Sequence, residues 1–67
     1  MNWDIVKGNA EQAKGKMKEM WADLTDNEVL EMQASADQMS WKLQEKYWMS
    51  KLEAEKAIDE FVLSLQK

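Results

Sequence analysis

The sequence predicts an all-α fold, a small bundle of three to four short helices that forms a single domain over residues 1–67. The 67 residues include no proline and two glycines, so the composition favours uninterrupted helices. Apolar residues recur every three or four positions, the spacing of a helix face that packs on a core. Three helix-start signatures, each a Ser or Thr followed three residues later by Glu or Gln, divide the chain at Thr25, Ser35 and Ser50.

The first helix is predicted to start near Asn2 or Asp4 and to run to about Leu24. Its apolar positions follow one face: Val6, Ala10, Ala13, Met17, Met20 and Leu24. Trp3 and Trp21 flank this face, and we expect both to pack on the core.

Two glycines lie within this first helix, at Gly8 and Gly15. Each costs up to about 1 kcal/mol relative to alanine inside a helix, and a seven-residue spacing puts both on one side. The pair therefore predicts close approach by another backbone.

The rest of the chain is predicted to form a second helix from Thr25, a third from Ser35 and a fourth from Ser50. Because no glycine lies near Ser35, helices two and three could also run on as one. Helices three and four could likewise fuse through Trp48. The fourth helix has a clear buried face: Ala54, Ile58, Phe61, Val62 and Leu65.

The third helix carries two apolar faces. Met39 and Leu43 belong to an ordinary core-facing row. Trp41 and Trp48 share a second face, about 160–200° away from that row. A solvated helix would carry charged residues there, so this second face is the leading candidate for a binding surface.

The composition excludes several classes of function. The chain has no Cys and no His, so we expect no cofactor, no thiolate or imidazole metal site and no nucleophile–base pair, and therefore no enzyme. A net charge of −4 argues against a nucleic-acid partner. No apolar run reaches membrane length, and the first residues lack the pattern of a signal peptide. We therefore expect a cytoplasmic protein with no membrane partner.

An ordered set of segments resembles the small CsbD-like stress-response family of bacteria: MNWDIVKGN, QAKGKMKEMW, LTDNE, DQMSWKLQEKY and SKLEAEKAIDEF. The resemblance covers nearly the whole chain. It implies a small helical protein linked to general stress, and it implies no biochemical activity.

The chain departs from the family pattern at several positions. Glycine is typical of the family where this chain has Ala22, Ala34, Trp41 and Trp48, and a large residue is typical near Ala13. These differences suggest a family scaffold with an engineered, rebuilt surface.

The leading hypothesis is a non-enzymatic helical scaffold that binds a protein partner through residues in the 34–52 region and nearby. The predicted binding residues are apolar or small: Trp41, Trp48, Met49, Ala34, Met20, Leu52 and Leu63. Two alternatives stay open: a core-repacked or domain-swapped homodimer of the same scaffold, and a natural general-stress-response protein of unestablished activity.

Overall fold

In a computed structural model, which describes residues 3–66, the chain folds into five helices and no strands. The helices are α1 (Asp4–Gly8), α2 (Ala10–Met20), α3 (Asp26–Ala34), α4 (Ala36–Tyr47) and α5 (Lys51–Leu65). The prediction of an all-α fold is confirmed. The prediction of three to four helices is wrong by at least one, because the first predicted helix is divided in two.

The division occurs at Asn9, whose backbone leaves the helical region at φ −125° and ψ 48°. Its side-chain Nδ2 and its backbone N–H both donate to the carbonyl of Ile5, at 3.0 and 3.2 Å. Asparagine offers the backbone this local alternative to continued helix, which is why α1 stops there. The second of these two helices, α2, ends at Met20, earlier than the predicted end near Leu24. The predicted cap at Asn2 lies outside the described residues.

The junctions around α4 are sharp, so neither predicted fusion occurs in this structure. Ser35 is extended, at φ −164° and ψ 162°, and its hydroxyl accepts a hydrogen bond from the N–H of Gln38 at 3.1 Å. An N-cap serine thus separates α3 from α4 without any glycine. At the other end, Trp48 adopts the left-handed conformation, with φ 56° and ψ 30°, and terminates α4.

Reciprocal capping boxes start α3 and α5, as the sequence predicts. In α5, the Glu53 carboxylate accepts from the N–H of Ser50 at 2.9 Å, and the N–H of Glu53 donates to the Ser50 hydroxyl at 3.1 Å. Each box satisfies two backbone N–H groups that a helix start leaves without partners.

The core lies between the helices, where α4 and α2 each pack against both α3 and α5. Among residues 3–66 the buried side chains are all apolar: Val6, Ala13, Met17, Leu24, Val29, Met32, Met39, Leu43, Ala54, Ile58, Phe61 and Val62. Trp3 and Trp21 are half-buried against this core, as predicted. The indole Nε1 of Trp3 donates to the carbonyl of Gln33 at 2.9 Å, and the ring of Trp21 lies 6.5 Å from that of Phe61.

No backbone packs closely on either glycine of the first predicted helix. An added methyl at Gly8 or Gly15 would meet nothing within 4 Å. Within the described residues, the predicted close approach to these glycines is therefore wrong.

Candidate functional site

Large exposed apolar side chains concentrate on α4, α5 and the turn between them. Trp48 is 91% exposed, and Trp41, Leu52 and Leu63 are 61–63% exposed. We call these four residues the tryptophan surface. All four belong to the predicted binding set, and the structure leaves each of them in contact with solvent.

Trp41 points outward because of its place in the helical repeat. Met39 and Leu43 are fully buried. Trp41 lies two residues from each, so it projects about 160–200° away from them. The core-repacked alternative would require buried indoles, whereas Trp41 and Trp48 both remain exposed in this chain.

Trp48 combines an exposed indole with an unfavourable backbone. It is the non-glycine residue with positive φ among the described residues. An L-residue in the left-handed region costs about 1–2 kcal/mol, and glycine avoids that cost. The turn thus keeps the geometry typical of a glycine C-cap while carrying the largest side chain.

The remaining predicted binding residues divide into two groups. Met20 and Met49 are half-buried and pack against the core, so each offers a partner only part of its side chain. Ala34 is exposed, but it lies at the end of α3 rather than on α4 or α5. The two tryptophans and the two leucines all lie on α4, on α5 or in the turn between them.

Leu30 on α3 is an exposed apolar residue that sequence reasoning missed, with 64% of its surface accessible. Leu30 comes directly after Val29 and two residues before Met32, and both Val29 and Met32 are buried. At about 100° per residue it falls outside their shared face, and this angle was the signal that could have identified it.

Lysines of α4 connect it to α3. The Nζ of Lys42 lies 3.2 Å from the Glu31 carboxylate, and the Nζ of Lys46 lies 2.7 Å from that of Glu28. The hydrogen bond from Lys46, supported by the Thr25 backbone N–H, lowers the pKa of Glu28 to about 2. The hydrogen bond to Glu31 raises the pKa of Lys42. Lys42 and Lys46 thus join α4 to α3 by ion pairs.

The C-terminal end of α4 is also joined to the loop after α2. The Tyr47 hydroxyl donates to the Asp23 carboxylate, and the Lys46 ammonium donates to the Asp23 carbonyl at 3.2 Å. Partial burial, together with the hydrogen bond to Asp23, raises the pKa of Tyr47. The last turn of α4 is thus fixed directly before the strained turn at Trp48.

A groove of about 390 Å³ separates the start of α4 from the middle of α5. Ala36 and Ile58 line its apolar part, and Asp37, Glu55 and Asp59 line its acidic part. Across residues 3–66, no group of three or more carboxylates is arranged to hold a metal ion. Nor does any helix in that range have the length and apolarity needed to cross a membrane.

The chain is similar to several bacterial proteins over most of its length. It is 43% identical over 61 residues to a UPF0337 protein of Pseudomonas aeruginosa, covering 91% of this chain and 94% of the relative. It is 43% identical over 58 residues to the UPF0337 protein YjbJ of Escherichia coli K12, covering 87% and 84%. A UPF0337 protein of Nitrosomonas europaea is 38% identical over 61 residues, covering 91% and 65%.

No protein-family model and no solved structure matches the chain. The relatives are bacterial proteins, and nothing in their similarity indicates an engineered sequence, so an engineered surface is not supported. At these identities and coverages, the chain belongs to the UPF0337 family, which is the CsbD-like family.

Proposed function

We propose that this chain is a natural, non-enzymatic helical protein that binds a protein partner through the tryptophan surface. The observation that carries the proposal is Trp48, which is 91% exposed and has a left-handed backbone. The exposure of a large apolar side chain to water and the left-handed backbone both cost free energy in the isolated molecule. Backbone strain of this kind is concentrated at functional sites, where an interaction outside the local fold makes use of it.

The surface has enough apolar area for an interface. A tryptophan buries about 150–250 Å², which at ~25 cal/mol/Å² corresponds to roughly 4–6 kcal/mol before ordering costs. Tryptophan is also enriched among the few residues that dominate binding energy. Trp41 and Trp48 are therefore the proposed anchors, with Leu52 and Leu63 as surrounding contacts.

A binding role is favoured over catalysis by the available side chains. The chain has no His or Cys to act as a nucleophile or a base at neutral pH. The carboxylates of Glu28 and Glu53 serve in capping boxes. General stress, which the family resemblance implies, is the physiological setting that we include in the proposal.

The test compares partner capture by three variants. Tagged wild-type protein is incubated with bacterial lysate, and each captured protein is purified and titrated calorimetrically against wild type, Trp41→Ala and Trp48→Gly. Because each indole is proposed as an anchor, we expect each variant to bind at least about 30-fold more weakly, equivalent to about 2 kcal/mol. Their thermal unfolding should show that the folded state is retained.

Leu30→Ala is the matched control, since Leu30 has the same exposure as Trp41 but lies on α3. It should bind as wild type does. Equal affinity of all the variants, or an equal loss in Leu30→Ala, would show that the tryptophan surface is not a specific interface.

A further inference from the structure

We infer that the protein partner presents a cationic amphipathic helix, which lies in the groove between α4 and α5. The inference names the kind of segment that the tryptophan surface recognises, and it therefore rests on the proposed function. Three features of the molecule support it: the apolar floor of the groove, the exposed apolar residues along both of its sides, and the carboxylates that line it without ion pairs.

The groove has an apolar floor and acidic sides. Ile58 is 2% exposed and Ala36 is half-buried, so both lie deep in the groove. Asp37 of α4 lines one side, and Glu55 and Asp59 of α5 line the other. These three acidic residues are exposed. A ligand in the groove would thus meet apolar atoms beneath it and a carboxylate on each side.

Helical periodicity places exposed apolar residues along both sides of this groove. On α4, Trp41 lies one turn beyond Asp37, and the two residues are about 40° apart around the helix axis. On α5, Leu52 and Leu63 lie about 20° and about 40° from Asp59 around the axis. The groove therefore runs between the indole of Trp41 on one side and the two leucines on the other.

The carboxylates of the groove are not neutralised within the described part of the chain. Between residues 3 and 66, the side chains of Asp37, Glu55 and Asp59 take part in no ion pair. Lys51 is the one lysine among the residues that line the groove. The lysines of α4 instead form ion pairs with α3. The groove thus has an excess of negative charge, which is complementary to a cationic partner.

A helix is the form of ligand that this surface suits. The secondary structure of residues 3–66 consists of helices alone, so this part of the chain offers no strand edge to an extended peptide. The side chains of a third helix can instead pack between two neighbouring helices, with apolar anchors three or four residues apart. The segment that fits has one apolar row against the floor and the tryptophan surface, and lysine or arginine on both flanks.

The test uses two model peptides of about 18 residues, a length that supports a helix. Both have leucines spaced three or four residues apart. The other positions are lysine in the first peptide and glutamate in the second. Each peptide is titrated against the wild-type protein by calorimetry. We expect the lysine peptide to bind at least about 10-fold more tightly than the glutamate peptide. Its affinity should fall as salt is raised toward about 1 M, since salt screens exposed charges.

Two double variants with the same net charge show where the lysine peptide binds. Glu55→Gln/Asp59→Asn removes two carboxylates from the groove, and we expect it to weaken binding about 3-fold or more. Glu11→Gln/Glu19→Gln removes two exposed carboxylates from α2 and should bind as wild type does. Equal weakening by both double variants would mean that the peptide responds only to the overall charge of the chain, and it would overturn the inference.

Trp41→Ala separates this inference from the proposed function. It should weaken binding of the lysine peptide about 30-fold, as it should for the captured partner. If the captured partner depends on Trp41 but the lysine peptide binds no better than the glutamate peptide, the inference fails and the proposed function stands. If neither the captured partner nor the lysine peptide depends on Trp41, both fail.

Sedimentation of the wild-type protein tests the remaining occupant of the groove. We expect a monomer that takes up the lysine peptide. A dimer from which the lysine peptide is excluded would identify a second copy of this chain as the occupant, and it would overturn the inference.

Discussion

At residue scale, the side chains that sequence periodicity placed correctly are those whose orientation depends on a single helix. Trp41 is exposed because it lies between Met39 and Leu43 in the same helix. Met20 and Met49 lie next to helix ends, where loop geometry decides what they contact, and both pack on the core. Periodicity within one helix does not contain that information.

Gly15 is a single residue whose substitution is expected to stabilise the protein. It lies in the middle of α2, and an added methyl group would meet nothing within 4 Å. Gly15→Ala should therefore raise the free energy of unfolding by up to about 1 kcal/mol, through helix propensity alone. Urea denaturation followed by circular dichroism measures this difference.

A larger substitution at the same position serves as the control. Gly15→Leu, which also favours helix, should stabilise the protein by a similar amount if the site is open. A loss of stability in both variants would mean that another chain or segment occupies the space beside Gly15.

At the scale of elements, capping chemistry determined the helix boundaries more reliably than the lack of glycine and proline. The boxes at Thr25 and Ser50 formed as predicted, and Ser35 separated α3 from α4 where continuous helix was an alternative. The break at Asn9 was missed, because one asparagine within a helical pattern gives no clear signal of a boundary. The turn at Trp48 was left open because tryptophan does not favour a left-handed conformation.

The Thr25 box provides a test of how pH affects one element. The pKa of Glu28 falls from an ordinary 4.5 to about 2 in the folded chain, so the folded state binds this proton less tightly than the unfolded state does. The stabilisation from this group is present above pH 4.5 and is lost as the pH falls toward 2. Glu28→Gln keeps a box-forming side chain but removes the charge. Its unfolding midpoint in urea should vary less between pH 5 and pH 2 than that of wild type.

Glu55→Gln, at an exposed carboxylate on α5, is the control and should follow the wild-type pH profile. If Glu28→Gln keeps the full acid dependence, other carboxylates are responsible for the loss of stability at low pH.

At the scale of the whole molecule, stability depends on a small core. In the described part of the chain twelve residues are buried and all are apolar, and Phe61 is the largest of those that are fully buried. Chains of this length have about 3–10 kcal/mol of stability, taking ~0.05–0.15 kcal/mol per residue. The all-α class was predictable, since composition and apolar spacing agreed along the chain. The packing of α4 against α3 and α5, and of α2 against the same two helices, was not predictable, since it depends on contacts between helices.

Phe61→Ala should lose about 3–5 kcal/mol, the cost of truncating a buried aromatic residue. This loss is comparable with the total stability, so the variant should be largely unfolded at 37 °C. Calorimetry and tryptophan emission measure it, and the 6.5 Å separation of the Trp21 and Phe61 rings makes Trp21 a local reporter.

Met32→Leu replaces a fully buried residue with one of similar volume and should cost less than about 1.5 kcal/mol. A Phe61→Ala variant that is as stable as Met32→Leu would mean that the core collapses around the lost ring, and that α5 is held mainly by other contacts.

The burial of three methionines protects their sulfur atoms from oxidation in the folded protein. Met17, Met32 and Met39 are fully inaccessible in the folded chain, so an oxidant reaches their sulfur atoms only when the core opens. A sulfoxide is polar and does not fit an apolar interior. In the presence of peroxide, a buried methionine can therefore be oxidised each time the core opens, and the resulting sulfoxide blocks refolding. The number of sulfoxides on these three residues would record how often a population of molecules had unfolded.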